Sequence, residues 1–345
     1  MSPTSSARDE SVTKRNIIDT FLFSEPFEKD LLLAKLSSES PGVSRWVIVE
    51  NAYTFQGEQK GNCLAAIINE DERFEPFRER IEVISCDIKF PPIDPHKDPD
   101  QQGIEAEHRQ RQQAYMSLTK VCAEDDWVVI SDTDEIVDCS DPSRLELLHR
   151  HIDRSRTGML PLPRIRYWYD FDNLWPMRRS TPIVAAKRLF TSEETIGWYR
   201  LKTIGRPTRW AEELVFEYSF CFSLDWIIRK YETFTHPGFE LSEIKNAIRC
   251  NRTPVAERQR LSISLDESFW LRPVTLSAQN SPTYIREHLE DLKTNVVPSD
   301  FATHRRTSFP ELFNPAAQLR HRLGKLSPRH LRRLARRLKQ SRESW

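Results

Sequence analysis

An α/β sheet flanked by helices is the fold class this sequence predicts, and three observations predict it. Short apolar runs alternate with helix-spaced segments from residue 17 to residue 155. Proline-rich and polar stretches fall between them, where connections belong. The 345 residues, 38% hydrophobic and 10% aromatic, are enough for one large core.

Residues 1–14 are polar and rich in Ser and Thr, so they read as a disordered leader without the apolar segment of a signal peptide. A first strand is expected over 17–23 and a short helix over 30–36. Residues 46–49 form a second buried strand that runs into the polar segment 50–57, and 81–85 form a third. Residues 90–100 hold Pro91, Pro92, Pro95 and Pro99 and read as loop. Ala114, Tyr115, Leu118, Val121 and Cys122 then share one helical face, which Asp125-Asp126 closes. The buried strand 127–131 follows. Asp141-Pro142 is an N-cap with proline at the first helical position, ahead of a stripe of Leu145, Leu148 and Ile152. In such a sheet the ligand crevice lies at the carboxyl ends of the strands.

The second half is less regular. Residues 164–171 alternate basic and aromatic side chains like an exposed strand. Ser223 opens a helix with Trp226, Ile227, Lys230, Tyr231 and Phe234. Ser281-Pro282 opens another, with Ile285, Leu289 and Leu292 facing inward.

Composition narrows the function. Glycine is scarce at nine, and neither a dinucleotide nor a P-loop glycine pattern occurs. Phosphate would have to be held by metal, basic side chains or helix ends. The six cysteines are scattered without a C-x-x-C pair, which excludes a zinc ribbon and favours reduced thiols in a cytoplasmic protein. No run approaches the roughly twenty apolar residues of a membrane span. Net charge is zero, yet residues 319–345 carry ten Lys/Arg and one Glu, which leaves the other 318 residues at −9. That tail spaces Leu319, Leu323, Leu326, Leu331, Leu334 and Leu338 as a basic amphipathic helix interrupted at Pro328. It suits an anionic membrane surface, nucleic acid or the acidic body. The membrane is preferred, as a peripheral contact at the inner face, and nucleic acid is disfavoured for want of interleaved aromatics.

Asp132-Thr133-Asp134 carries the chemistry. Two aspartates one residue apart, where a buried strand stops, cannot both enter an apolar core without counter-charge. Together they can hold a hard divalent cation that keeps a phosphate as a further ligand, as sugar-nucleotide enzymes do. A turn cluster is the plain alternative. A phosphohydrolase with Asp132 as nucleophile is the rival enzyme, although Ile136 and the position deep in the chain fit it less well.

Ordered blocks around this motif resemble glycosyltransferase family 17, which includes the bisecting β-1,4-mannosyl-glycoprotein N-acetylglucosaminyltransferases. They are Phe21-Leu22-Phe23-Ser24-Glu25 with Asp30-Leu31-Leu32; Val47-Ile48-Val49-Glu50-Asn51 with Thr54-Phe55-x-Gly57 and Lys60; and Arg73-Phe74, Phe77 and Arg80-Ile81. Glu107 with Arg111, residues 128–136, the aromatic Tyr167, Tyr169 and Phe171, and then Ser219, Lys230, Phe234 and His236 complete the match over 17–240. The resemblance implies a GT-A-like mixed sheet over residues 15–310 ahead of the tail 311–345. It also implies UDP-N-acetylglucosamine as donor, Mn²⁺ or Mg²⁺, and inversion at the anomeric carbon. The partners expected are the UDP-sugar donor and a glycan or lipid-linked acceptor.

Candidate roles follow. Asp132 and Asp134 are expected to bind the metal, directly or through water, and a neutral His236 could join them; a histidine favoured by a helix C-terminus is the alternative. Glu50, Asn51 and Lys60 follow the second strand, where base or ribose would sit. Arg111 would pair with the Asp-x-Asp region or with phosphate, unless it is a surface charge. Phe216 and Glu217 stand where the family typically has Trp and His, which leaves Glu213 and Glu217 as rival general bases or simply a solvated acidic face. A non-catalytic sugar-nucleotide-binding protein is the third reading.

Overall fold

The structure, a computed structural model, describes residues 15–91, 94, 96–190, 196–202, 213–233, 241–249 and 271–297. All of them belong to one unit of the chain. The leader 1–14, His236 and the tail 311–345 lie outside the described residues.

Alternation builds the first half. Strands β1 (Ile17–Phe23), β2 (Val43–Asn51), β3 (Ile81–Cys86) and β4 (Trp127–Ile130) lie in the order β3-β2-β1-β4, all parallel. Side chains of period two send Ile17, Phe21, Trp46, Ile48, Trp127 and Val129 to one face, against helices α1 (Lys29–Glu39), α2 (Leu64–Glu70) and α5 (Pro142–Arg154). Ile18, Leu22, Val47, Val49, Val128 and Ile130 take the other face, against α3 (Pro99–Arg111), α4 (Tyr115–Val121) and α6 (Ile196–Lys202). Burial on both faces explains why these strands read as continuous apolar runs. The expected N-cap of α5 is present, with Asp141 accepting from the Ser143 amide at 2.8 Å.

The second half adds antiparallel and parallel pairs that local pattern did not reveal. Strands β5 (Glu135–Val137), β6 (Met159–Trp168), β7 (Asn173–Ala186) and β8 (Val215–Ser219) extend the sheet as β4-β7-β6-β8-β5, and the short β9 (Arg272–Pro273) pairs with β7. Helices α7 (Leu224–Thr233), α8 (Leu241–Arg249), α9 (Thr283–Glu287) and α10 (Leu289–Lys293) follow. Their Ile227, Ile244, Ile248, Ile285 and Leu292 close a third cluster with Tyr167, Trp168, Phe216 and Tyr218.

Two expectations are corrected. Residues 99–111 are helical where a loop was expected through 100. Strand β6 is interior, between β7 and β8, where an exposed strand was expected. Its basic residue Arg164 is only 5% exposed because carboxylates from β5 and β8 lie beside it.

Chain length forces the sheet to curl. Strands β4 and β5 are four places apart in the sheet, a span of about 19 Å if flat. Residues 131–134 join them through a turn closed by the Glu135 amide on the Asp132 carbonyl at 3.0 Å. Even a fully extended connection would reach only about 17 Å. The sheet therefore folds back, and β5 packs beside α1.

The five cysteines among the described residues are free. No helix among those residues is long and apolar enough to cross a membrane.

Candidate active site

The turn from Ser131 to Glu135 sits at the carboxyl end of β4, beside the end of β1. Ser131 donates its amide to the Thr20 carbonyl at 3.1 Å, and the Thr133 hydroxyl donates to the Leu22 carbonyl at 2.6 Å. The Glu135 carboxylate returns to accept the Asp132 amide at 3.1 Å. These bonds leave Asp132 as the accessible carboxylate, with its side chain 33% exposed against 11% for Asp134.

Beneath the turn lies a fully buried charge cluster. Lys35 Nζ on α1 contacts Asp19 at 2.6 Å, Glu39 at 2.7 Å, the Ser131 hydroxyl at 3.0 Å and the Glu135 carbonyl at 2.6 Å. Burial alone would lower the Lys35 ammonium, but Asp19 and Glu39 outweigh it and hold the group protonated. One side chain thus ties β1 and α1 to both ends of the Asp-x-Asp turn.

Basic side chains surround the turn from above. Arg111 on α3 pairs with Asp132, donates to the Ser131 carbonyl at 2.8 Å and bonds Glu107 one helical turn back at 2.8 Å. Arg200 on α6 pairs with the other Asp132 oxygen and with Glu135 at 2.9 Å. Burial would raise the Asp132 carboxyl, but Arg200 and Arg111 overcome it and hold Asp132 well below the usual range. Lys230 on α7 bonds Asp134 at 3.1 Å and lies 3.6 Å from Glu28. Arg164 on β6 bridges Glu135, at 2.5 Å, and Glu217.

Glu28 makes this region pH-sensitive. Burial pushes its carboxyl up to about 7, against the pull of Lys230. A raised acid contributes stability that is complete below its unfolded value and is lost as pH rises through the folded value. The metal-free protein should therefore lose on the order of 3 kcal/mol between pH 5 and 9 from this group. Thermal melts across that range should show the decline, and Glu28→Gln should flatten it; an unchanged slope in the variant would refute the assignment.

Near the turn opens a shallow cleft at the ends of β1 and β2, lined by Ser24, Glu25, Phe27, Tyr53, Phe55, Lys60 and Lys230 among others. Lys60 lines this cleft. Glu50 and Asn51 do not: both are buried and hold its wall. Glu50 accepts the amides of Cys63 and Leu64 at 2.8 and 2.9 Å and so caps α2. Asn51 bridges the Tyr53 and Ile88 backbones. Gly57 in the same loop has φ +81°, and a Cβ there would meet the Phe90 carbonyl at 2.8 Å.

The rival bases separate. Glu217 pairs opposite Glu135 in the sheet, with Arg164, Arg166 and the Ser219 hydroxyl on its carboxylate. Burial would raise it, but Arg164 and Arg166 hold it below its ordinary value, which suits an ion-pair anchor better than a base. Glu213 precedes β8, four residues and about 13 Å of strand away from Glu217.

Sequence reasoning missed Glu135, Arg164, Arg200 and Lys35 as parts of the site. Two pairs at i and i+4, Glu107 with Arg111 and Lys35 with Glu39, carried a local signal of pairing.

The donor set can be tested against a divalent cation. Among the described residues no group of three His, Cys, Asp or Glu side chains gathers as a metal site. Asp132 and Asp134 instead offer hard oxygen donors at an open turn. That set fits Mg²⁺ or Mn²⁺ completing its shell with substrate phosphates, and not an ion held by these side chains alone.

Residues 6–200 match the family model of glycosyltransferase family 17. No curated protein matches the chain. Among solved structures it is similar to one described as a mannose-1-phosphate geranyltransferase from Thermus thermophilus, at 12% identity and a TM-score of 0.25. That match covers 72% of this chain and 64% of the other.

Proposed function

The chain belongs to glycosyltransferase family 17, and on that premise we propose an inverting transfer from UDP-N-acetylglucosamine to a glycan or lipid-linked acceptor, on a GT-A-like fold. One observation carries the donor half of this reading. Lys230 lines the cleft at the carboxyl ends of β1 and β2 and also bonds Asp134 in the turn that ends β4, where open α/β sheets bind nucleotides. Tyr53 and Phe55 offer apolar surface to a base there, and Lys60 and Lys230 offer positive charge.

A divalent cation, Mn²⁺ or Mg²⁺, held by Asp132 and Asp134 and completed by the diphosphate would neutralise charge on the departing UDP. Every other contribution is the chain's own. Arg111 and the Ser131 carbonyl orient Asp132; Lys230 orients Asp134; Thr133 and Lys35 fix the turn between them. Positive groups already in place when charge develops need no reorganisation at the moment of transfer. The basic residues 319–345 are proposed to hold the enzyme at the anionic inner face of a membrane, within reach of lipid-linked acceptors.

A panel of UDP- and GDP-sugars with and without Mn²⁺ tests the reading through thermal shift and nucleotide release. Stabilisation needing both UDP and metal is expected, worth about 2.7 kcal/mol at a hundredfold excess over Kd. Phosphatase turnover without a nucleotide sugar would move the reading to a phosphohydrolase with Asp132 as nucleophile. UDP binding with no transfer to any acceptor would leave a sugar-nucleotide-binding protein.

A further inference from the structure

We propose that Arg200 is a phosphate-binding residue held in reserve: it leaves Asp132 when the donor arrives and takes the diphosphate. This rests on the donor reading above.

The argument begins with redundancy at Asp132. Two guanidinium groups sit on one carboxylate, one on each oxygen. Arg111 is the fixed one. Its side chain is 2% exposed, with further bonds to Glu107 and the Ser131 carbonyl, both at 2.8 Å. Arg200 lies further out, 13% exposed, on the short helix α6.

The partners of Arg200 are provided for without it. Asp132 keeps Arg111, and Glu135 keeps Arg164 at 2.5 Å and the Asp132 amide at 3.1 Å. Its departure therefore leaves each carboxylate with one cation, so neither becomes a buried charge without a partner. Removing Arg111 would be different, since the Glu107 carboxylate and the Ser131 carbonyl would lose the donor they share with Asp132.

The chemistry of the exchange is matched. A guanidinium fork binds carboxylate and phosphate oxygens in the same planar geometry. The Asp132 carboxylate thus occupies, in this structure, the kind of anion that a donor phosphate would present. Releasing Arg200 also frees an Asp132 oxygen for a cation. A single movement would supply both a phosphate contact and a metal ligand.

The test compares full-length wild type, Arg200→Gln and Arg200→Lys in three binding measurements: UDP with Mn²⁺, uridine with Mn²⁺, and Mn²⁺ alone by electron paramagnetic resonance. Arg200→Gln should weaken UDP by about 10- to 100-fold, the scale of one charge-assisted hydrogen bond, and leave uridine unchanged. It should also bind Mn²⁺ alone more tightly than wild type, because Asp132 has lost a competing cation. Arg200→Lys, with charge but no fork, should recover part of the UDP affinity. Equal losses for UDP and uridine would reduce Arg200 to a prop for the fold and overturn the proposal. So would unchanged UDP binding in Arg200→Gln beside a wild type that binds UDP. Wild type that binds no UDP at all would overturn the donor reading itself, and this assignment with it.

Discussion

Replacing Lys35 by methionine should destabilise the protein by about 3–5 kcal/mol, the cost of leaving buried partners of an ion pair without their counter-charge. Lys35, Asp19 and Glu39 are all 0% exposed, so no water can replace the lost ammonium. The effect should appear as a fall of roughly 10 °C in Tm. It should also depend on pH with a definite sign. Burial already pushes the Glu39 carboxyl up to about 8 against the pull of Lys35, and losing Lys35 raises it further. The variant is then closest to wild type in acid and loses ground as pH rises. The triple variant Lys35→Met, Asp19→Asn, Glu39→Gln removes the charges together and should recover much of the loss. A single variant as stable as wild type at pH 8 would show that the cluster contributes little.

Asp132→Asn and Asp134→Asn should each lower UDP-sugar turnover by roughly 10²–10³-fold, the scale of removing one preorganised group from a developing charge. Asparagine is the informative choice. Alanine at 132 would also take one of two carboxylate acceptors from the buried Arg111, and mix a folding defect with a catalytic one. Amide oxygens keep the shape of the turn but lose the negative charge that a hard cation requires. The two variants should differ in stability. Losing the Asp134 charge leaves Lys230 with Glu28, 3.6 Å away, and removes a like charge that raises Glu28. Initial rates at saturating Mn²⁺, alongside melting curves, check both points. Rates within about twofold of wild type would rule out a donor-binding role for the turn.

Some of this architecture is written locally. Residues 17–23, 46–49 and 127–130 announce themselves as strands because both of their faces are buried, so nearly every position must be apolar, whereas the edge strand 81–85 is only half-buried. The turn at 132–134 is legible for a related reason, since two carboxylates directly after such a strand need a counter-charge of some kind. The burial of Arg164 is illegible for want of information the segment does not contain. Alternating basic and aromatic residues look solvated until Glu135, 29 positions earlier, and Glu217 are brought beside them. Glu50 and Asn51 mislead in the opposite direction. Polar residues at a strand end resemble ligand contacts, yet here they cap α2 and brace a loop.

Local pattern was enough for the four strands of the first half, for α1, α4 and α5 among the helices that cover them, and for the placing of Asp132 and Asp134 at a strand terminus. Those features follow from side-chain period and from the cost of burying charge, and both operate over a few neighbouring residues. Only the tertiary structure decided which cation meets which carboxylate. Arg111 and Arg200 reach Asp132 from 21 and 68 positions away, and Lys230 reaches Asp134 from 96. Coulomb energy depends on separation in space and on local dielectric, and neither is encoded by order along the chain.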